Sequence, residues 1–195
     1  MLPLAIFAGK STALGLRVLR RSGSALPGLV VEKLYPQFLA ETIGALPKGV
    51  VVVTGTNGKT TTTKVIAELL EAHGLRVVSN STGSNFVRGI ISSTLKNIDI
   101  HGALPYDVAI LELDEAHAVQ LTKFVRPNGL VALNVMRDQM DRFGEIDTTA
   151  RLLARVAEQT SDFLVLNAND PRIASLYEKS DKRKIVWFGH NKTLA

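Results

Sequence analysis

Lys59 and Thr60 stand directly behind Gly58 in the run VVVVTGTNGKTTTTK, residues 50–64. A lysine beside a hydroxyl, set after a glycine turn, is a combination suited to holding phosphate. Glycines let backbone N–H groups turn inward without a Cβ in the way. The lysine reaches the β- and γ-phosphates, and the hydroxyl ligates Mg²⁺. Thr56, Asn57, Gly58, Thr61 and Thr62 add further loop donors. The spacing departs from the usual G-x-x-x-x-G-K-[ST] pattern, because Val53 occupies the position of its first glycine. A second candidate is Glu112, in LELDEAH at 111–117, a carboxylate at the end of an apolar run and a hard oxygen ligand for a divalent cation.

These residues need elements to position them. Four consecutive valines before the loop read as a buried strand. A helix follows over 63–74, with Val65, Ile66, Leu69 and Leu70 placed on one face and Gly74 closing it. Further strands are expected at 75–79, 106–113, 129–135 and 162–168, with a candidate sixth at 184–189. Helical patterns fall near 115–124, 148–160 and 171–179, the second capped by Asp147. Strands alternating with helices predict an α/β fold: a P-loop-type, mainly parallel sheet flanked by helices. A helix N-terminus at the carboxyl edge of such a sheet is a ready anion site.

Residues 1–48 read as a short N-terminal helical arm, and 49–195 as the central domain. Within the arm, 10–21 is expected to be a helix packed on the main domain, although its Arg17, Arg20 and Arg21 also suit lipid headgroups. RSGSALPG at 21–28 reads as a loop, and 30–49 as a second helical segment interrupted at Pro36. The apolar start MLPLAIFAGK is too short to span a bilayer and no basic residue precedes it. Zero cysteines exclude disulfides and Cys-ligated metals within this chain and fit a reducing, cytoplasmic setting. A net charge of +5 favours phosphorylated or otherwise anionic partners, but without interleaved arginines and aromatics it does not read as a nucleic-acid platform.

The shortened loop TGTNGKTTTTK resembles the ATP-binding loop of the Mur ligases and folylpolyglutamate synthases. Glu112 matches the family's Mg²⁺-binding glutamate. LNVMRDQMDRFGE at 133–145 matches its N-x-x-x-D-H-[LM]-D segment through Asn134, Asp138 and Asp141, with Gln139 in place of the histidine. That replacement argues against a standard amino-acid-adding ligase. Together with ALPG upstream and DEA at 114–116, it resembles the MurT family, the Mur-ligase-like subunits of lipid II isoglutaminyl synthase.

The resemblance implies ATP and Mg²⁺ as cofactors and Lys59 and Glu112 as catalytic residues, with Thr60 and Glu112 as metal ligands. It implies a GatD-like glutaminase as partner and lipid II as substrate, its D-glutamate α-carboxyl amidated to D-isoglutamine through an acyl phosphate. Peripheral contact with the inner face of the membrane would follow. Asn85 resembles a family asparagine near the phosphates, and reads equally well as a turn residue. Asp114 stands as a partner of the metal site. Arg88 reads as a substrate-phosphate contact or a solvated cation, and His73 and His117 as structural or solvated. MurT proteins continue into a zinc ribbon and a C-terminal domain, so this chain alone is expected to turn over weakly or not at all. The alternatives are a conventional Mur-type or folate-type amino-acid ligase, a non-catalytic nucleotide-binding module and an NTPase switch, the last disfavoured by Val53.

Overall fold

The structure is a computed structural model that describes residues 1–19, 25–80, 86–136, 145–179 and 183–190. Its sheet has six strands: β1 (Val50–Thr54), β2 (Val77–Ser79), β3 (Val108–Glu112), β4 (Gly129–Ala132), β5 (Phe163–Asn167) and β6 (Lys184–Phe188). Their order is β2-β3-β1-β4-β5-β6, and every pair is parallel. β1 is central, buried along its whole length, which is why its sequence is an unbroken apolar run rather than an alternation.

The pleat divides the core in two. Val50, Val52, Leu111, Leu130 and Leu164 point to one face, packed under most of the helices. Val51, Val53, Ile110, Val131 and Leu133 point to the other, where Ile66, Ala67 and Leu70 of α4 (Lys59–Ala72) cover them. The buried stripe of α4 therefore differs from the expected one: Val65 and Leu69 are exposed.

Two helices precede the sheet, α1 (Leu2–Val18) and α2 (Leu26–Leu34), followed by the short α3 (Phe38–Glu41) and a 3-10 turn at Ile43–Ala45. α1 begins well before the expected residue 10, and α2 begins inside the stretch expected to be a loop. Pro27 sits in the first turn of α2, where its missing N–H costs nothing. Ala5, Ile6, Val31 and Phe38 share the larger core with the sheet.

Three helices connect the later strands: α5 (Val87–Asn97), α6 (Glu115–Leu121) and α7 (Glu145–Gln159). After β5 come α8 (Pro171–Ala174) and a second 3-10 turn at Ser175–Lys179. α5 was not anticipated. Its Gly89, Ser92, Ser93 and Thr94 are poor helix formers, yet Val87, Ile90, Ile91, Thr94 and Leu95 are buried at helical spacing. α7 starts at Glu145, so Asp147 lies inside the helix instead of capping it.

Candidate active site

The loop after β1 turns sharply at Gly55, φ +135°, and Gly58, φ +86°, both in backbone conformations that favour glycine. At Gly55 space demands it as well: a Cβ would lie 2.9 Å from the Asn134 backbone nitrogen and 3.0 Å from its oxygen. Gly58 is the N-cap of α4 and offers no capping side chain. The first-turn N–H groups of a helix have no intrahelical acceptors, so those of Lys59, Thr60 and Thr61 face the loop's mouth with the positive end of the dipole.

Because all strands are parallel, β3 and β4 deliver their C-terminal ends to either side of this loop. After β3 the chain crosses β1 to reach β4, and ligands of open α/β sheets lie at such reversals. From β3 comes Glu112, paired in register with Val53 and only 6% exposed. The Thr60 hydroxyl donates to Glu112 Oε1 at 2.7 Å. Among the described residues, no lysine, arginine or histidine forms an ion pair with this carboxylate. A buried carboxylate normally needs a compensating cation. Together with the Thr60 hydroxyl, Glu112 presents two adjacent hard oxygens, a donor set that fits a divalent ion.

Lys59 is folded back on its own loop. Its Nζ donates to the Gly55 carbonyl at 2.7 Å and the Thr56 carbonyl at 3.2 Å, and pairs with Asp114 Oδ1 at 3.2 Å. Asp114 precedes α6 and makes no capping bond there; its side chain serves Lys59. It also lies 3.9 Å from His117 Nδ1, whose ring meets Phe86 edge-on with centroids 4.4 Å apart.

Two asparagines hold the backbone of the site. Asn134, just beyond β4, accepts from the Asn57 N–H at 2.9 Å and donates to the Asn57 carbonyl at 3.0 Å. Its own carbonyl accepts from the Thr56 N–H, and the Thr56 hydroxyl accepts from the Met136 N–H, both at 2.9 Å. Asn80, just beyond β2, grips Glu112 in the same way, accepting from its N–H at 2.7 Å and donating to its carbonyl at 2.8 Å. Each side-chain amide imitates a neighbouring strand and continues the sheet past its last residue.

The structure thus gathers Thr56, Asn57, Gly58, Lys59, Thr60, Thr61 and Glu112 around one loop. Asn85 lies outside the described residues, as do Asp138, Gln139 and Asp141. Arg88 does not join the site: it pairs with Glu32 at 2.6 Å, tying α5 to α2. His73 closes α4, its Nδ1 2.7 Å from the Leu69 carbonyl. Asn80 was missed by sequence reasoning; its one signal was an amide directly after a strand.

A glycine-turned strand–loop–helix on a parallel sheet, with a carboxylate presented by the adjacent strand, defines a P-loop-type α/β protein. The Mur ligase middle domain family model matches residues 53–195, and the chain belongs to that family. It is 33% identical to the lipid II isoglutaminyl synthase (glutamine-hydrolyzing) subunit MurT of Staphylococcus aureus (strain COL), over 95% of this chain and 41% of that one. It is 35% identical to the MurT subunit of Streptococcus pneumoniae (strain ATCC BAA-255 / R6), over 95% of this chain and 40% of that one. The chain therefore spans about two fifths of the length of these curated relatives. Among solved structures, MurF ligase from Thermotoga maritima, in complex with ADP, superposes with a TM-score of 0.64 at 23% identity, covering 84% of this chain and 36% of that one.

Proposed function

We propose that this chain is the ATP-binding part of an enzyme that amidates the D-glutamate α-carboxyl of the lipid II stem peptide. The observation that carries the reading is the likeness to MurT subunits across 95% of the chain, coinciding with the Thr60–Glu112 pair at the loop. In this reading residues 49–195 form the central domain, and 1–48 a helical arm docked upon it. A GatD-like glutaminase supplies ammonia, and the lipid-linked substrate brings the work to the inner face of the cytoplasmic membrane.

A carboxylate resists substitution because its leaving group is oxide. Transfer of the γ-phosphoryl group of ATP forms a bond from a carboxylate oxygen to phosphorus and breaks the β–γ bridge, releasing ADP. Ammonia then attacks the acyl carbon, loses a proton, and phosphate departs with the former carboxylate oxygen. The protein's task is to position the groups and neutralise moving charge. The amides at the start of α4 cradle the phosphates, while Lys59 exchanges the Gly55 and Thr56 carbonyls for phosphate oxygens. Thr60 and Glu112 hold Mg²⁺, which neutralises phosphate charge when bound. Asn134 and Asn80 keep the loop and Glu112 in place, so the site is set before nucleotide arrives.

Calorimetric titration with Mg²⁺·ATP tests the site: the wild type binds, and Lys59→Ala does not. An unresponsive wild type would sink the reading. Phosphate release in the presence of lipid II tests the reaction, with ammonium supporting it. Dependence on a free amino acid would instead assign a conventional ligase.

A further inference from the structure

We propose that the outer face of α1 is a docking surface for an anionic lipid bilayer. α1 has two apolar faces. Ala5, Ile6 and Gly9 are buried against the rest of the chain. Opposite them, at positions spaced by three, seven and four residues, stand Leu4, Phe7, Leu14 and Val18, which are 67%, 70%, 62% and 75% exposed. Scattered exposed apolar residues need no explanation, but four large side chains along one helix stripe mark an interaction surface. Phe7 and Leu14 gain nothing for the fold in this position.

Charge chooses the occupant. Lys10, Arg17, Arg20 and Arg21 are joined by no acidic residue before Glu32. Most of the chain's formal +5 therefore lies in its first segment. Lys10 turns inward to donate to the Ile98 carbonyl, but Arg17 is exposed beside Leu14 and Val18. Apolar side chains with Arg17 beside them, in a segment without acids, suit an anionic headgroup layer, since insertion and charge attraction act together. A protein partner recognising such a face would need matching acids around an apolar groove, whereas a bilayer supplies both continuously. The helix lies on the membrane and does not cross it: at 17 residues it is shorter than the span of about 20 that a bilayer core needs. Among the described residues no helix is long and apolar enough to do so.

This inference rests on the two faces of α1 and its charge, not on the ligase reading. The test is flotation of the 195-residue chain with vesicles of phosphatidylglycerol and phosphatidylcholine, and with phosphatidylcholine alone. The wild type should float with the anionic vesicles, less with neutral ones and less in high salt. Phe7→Glu with Leu14→Glu should lower the bound fraction at least about tenfold, because both apolar insertion and charge attraction are lost. The thermal melt of this variant should remain unchanged. Failure of the wild type to float, or equal flotation of the variant, would overturn the proposal. So would a concentration-dependent dimer that the two substitutions abolish, which would assign the face to a second copy. Mg²⁺·ATP titration of the same variant keeps the two readings apart, since nucleotide binding is indifferent to this face.

Discussion

The Thr60 hydroxyl and the Glu112 carboxylate meet at 2.7 Å, joining the first turn of α4 to the end of β3. Neither element's sequence requires the other; the parallel pairing of β1 with β3 brings them together. Glu112→Gln keeps the shape and removes the charge, so it should abolish the Mg²⁺ dependence of nucleotide binding. Thr60→Ala should weaken binding about 10- to 100-fold, as expected for losing an interaction of about 1.5–3 kcal/mol with a charged group. Titration with and without Mg²⁺ reads both. Unaltered metal dependence in Glu112→Gln would remove Glu112 from the site.

In the proposed reading, Asp114 would compete with phosphate for Lys59. The pair spans 3.2 Å, and Asp114 is 47% exposed, so its contribution to stability is at most about 1 kcal/mol. Asp114→Asn should leave the unfolding midpoint almost unchanged. Nucleotide affinity should rise by up to about fivefold, since Lys59 no longer has to leave a carboxylate. A loss of affinity would instead place Asp114 among the groups that support the bound metal.

The loop's conformation depends on Gly55. Alanine there would be forced to φ +135° and would press on the Asn134 backbone. Gly55→Ala should cost about 1–3 kcal/mol of stability and eliminate nucleotide binding. Asn134→Ala should leave the glycine conformations possible but free the Asn57 backbone, lowering affinity with a smaller change in midpoint. Denaturant unfolding and calorimetry on the two variants separate conformational strain from loss of the bracket.

Much of this site was legible because its signals are local. The glycine-turned loop is one continuous stretch, and strand β1 announces itself as four valines. Glu112 could be placed at a strand end by the apolar run before it. What sequence hid was pairwise geometry. Asn80 and Asn134 act on backbone 32 and 77 residues away, and neither residue's own segment specifies that partner. α5 was hidden by composition, since its glycine, serines and threonine mask a correct helical stripe. α1 was hidden by the reverse: with apolar residues on two faces, its pattern shows no clean period. Arg88 reads in sequence as a phosphate contact or a solvated cation; the docking of α2 brings Glu32 to it instead.

Two glycines in the N-terminal helices should respond oppositely to alanine. A Cβ on Gly28 would stand 1.9 Å from the Arg88 carbonyl oxygen, so α2 and α5 can approach only with glycine there. Gly28→Ala should destabilise by about 1–3 kcal/mol or more. Gly15, on the exposed side of α1, would meet nothing within 4 Å. Gly15→Ala should stabilise by about 0.5–1 kcal/mol through helix propensity. Urea denaturation distinguishes them, and a stabilising Gly28→Ala would mean that α2 does not dock on α5 as described.

The start of β3 carries an acid-sensitive clamp. Asp107 accepts from the Arg76 guanidinium at 2.8 and 3.1 Å and from the Arg76 N–H at 2.8 Å. The guanidinium bonds first, and then the backbone bond, hold its carboxyl down at about 2. An unfolded aspartate titrates near ~4. A carboxyl depressed in the folded state stabilises above the unfolded value, and that stabilisation is lost as pH falls through the folded one. The clamp therefore contributes fully above about pH 4 and fades towards about pH 2. Asp107→Asn should lower the thermal midpoint at pH 6, and the gap from wild type should close across that window. High salt should narrow the gap at pH 6 as well, since Arg76 is largely exposed. A gap constant from pH 6 to pH 2 would show that the bonds, and not the charge, make the clamp.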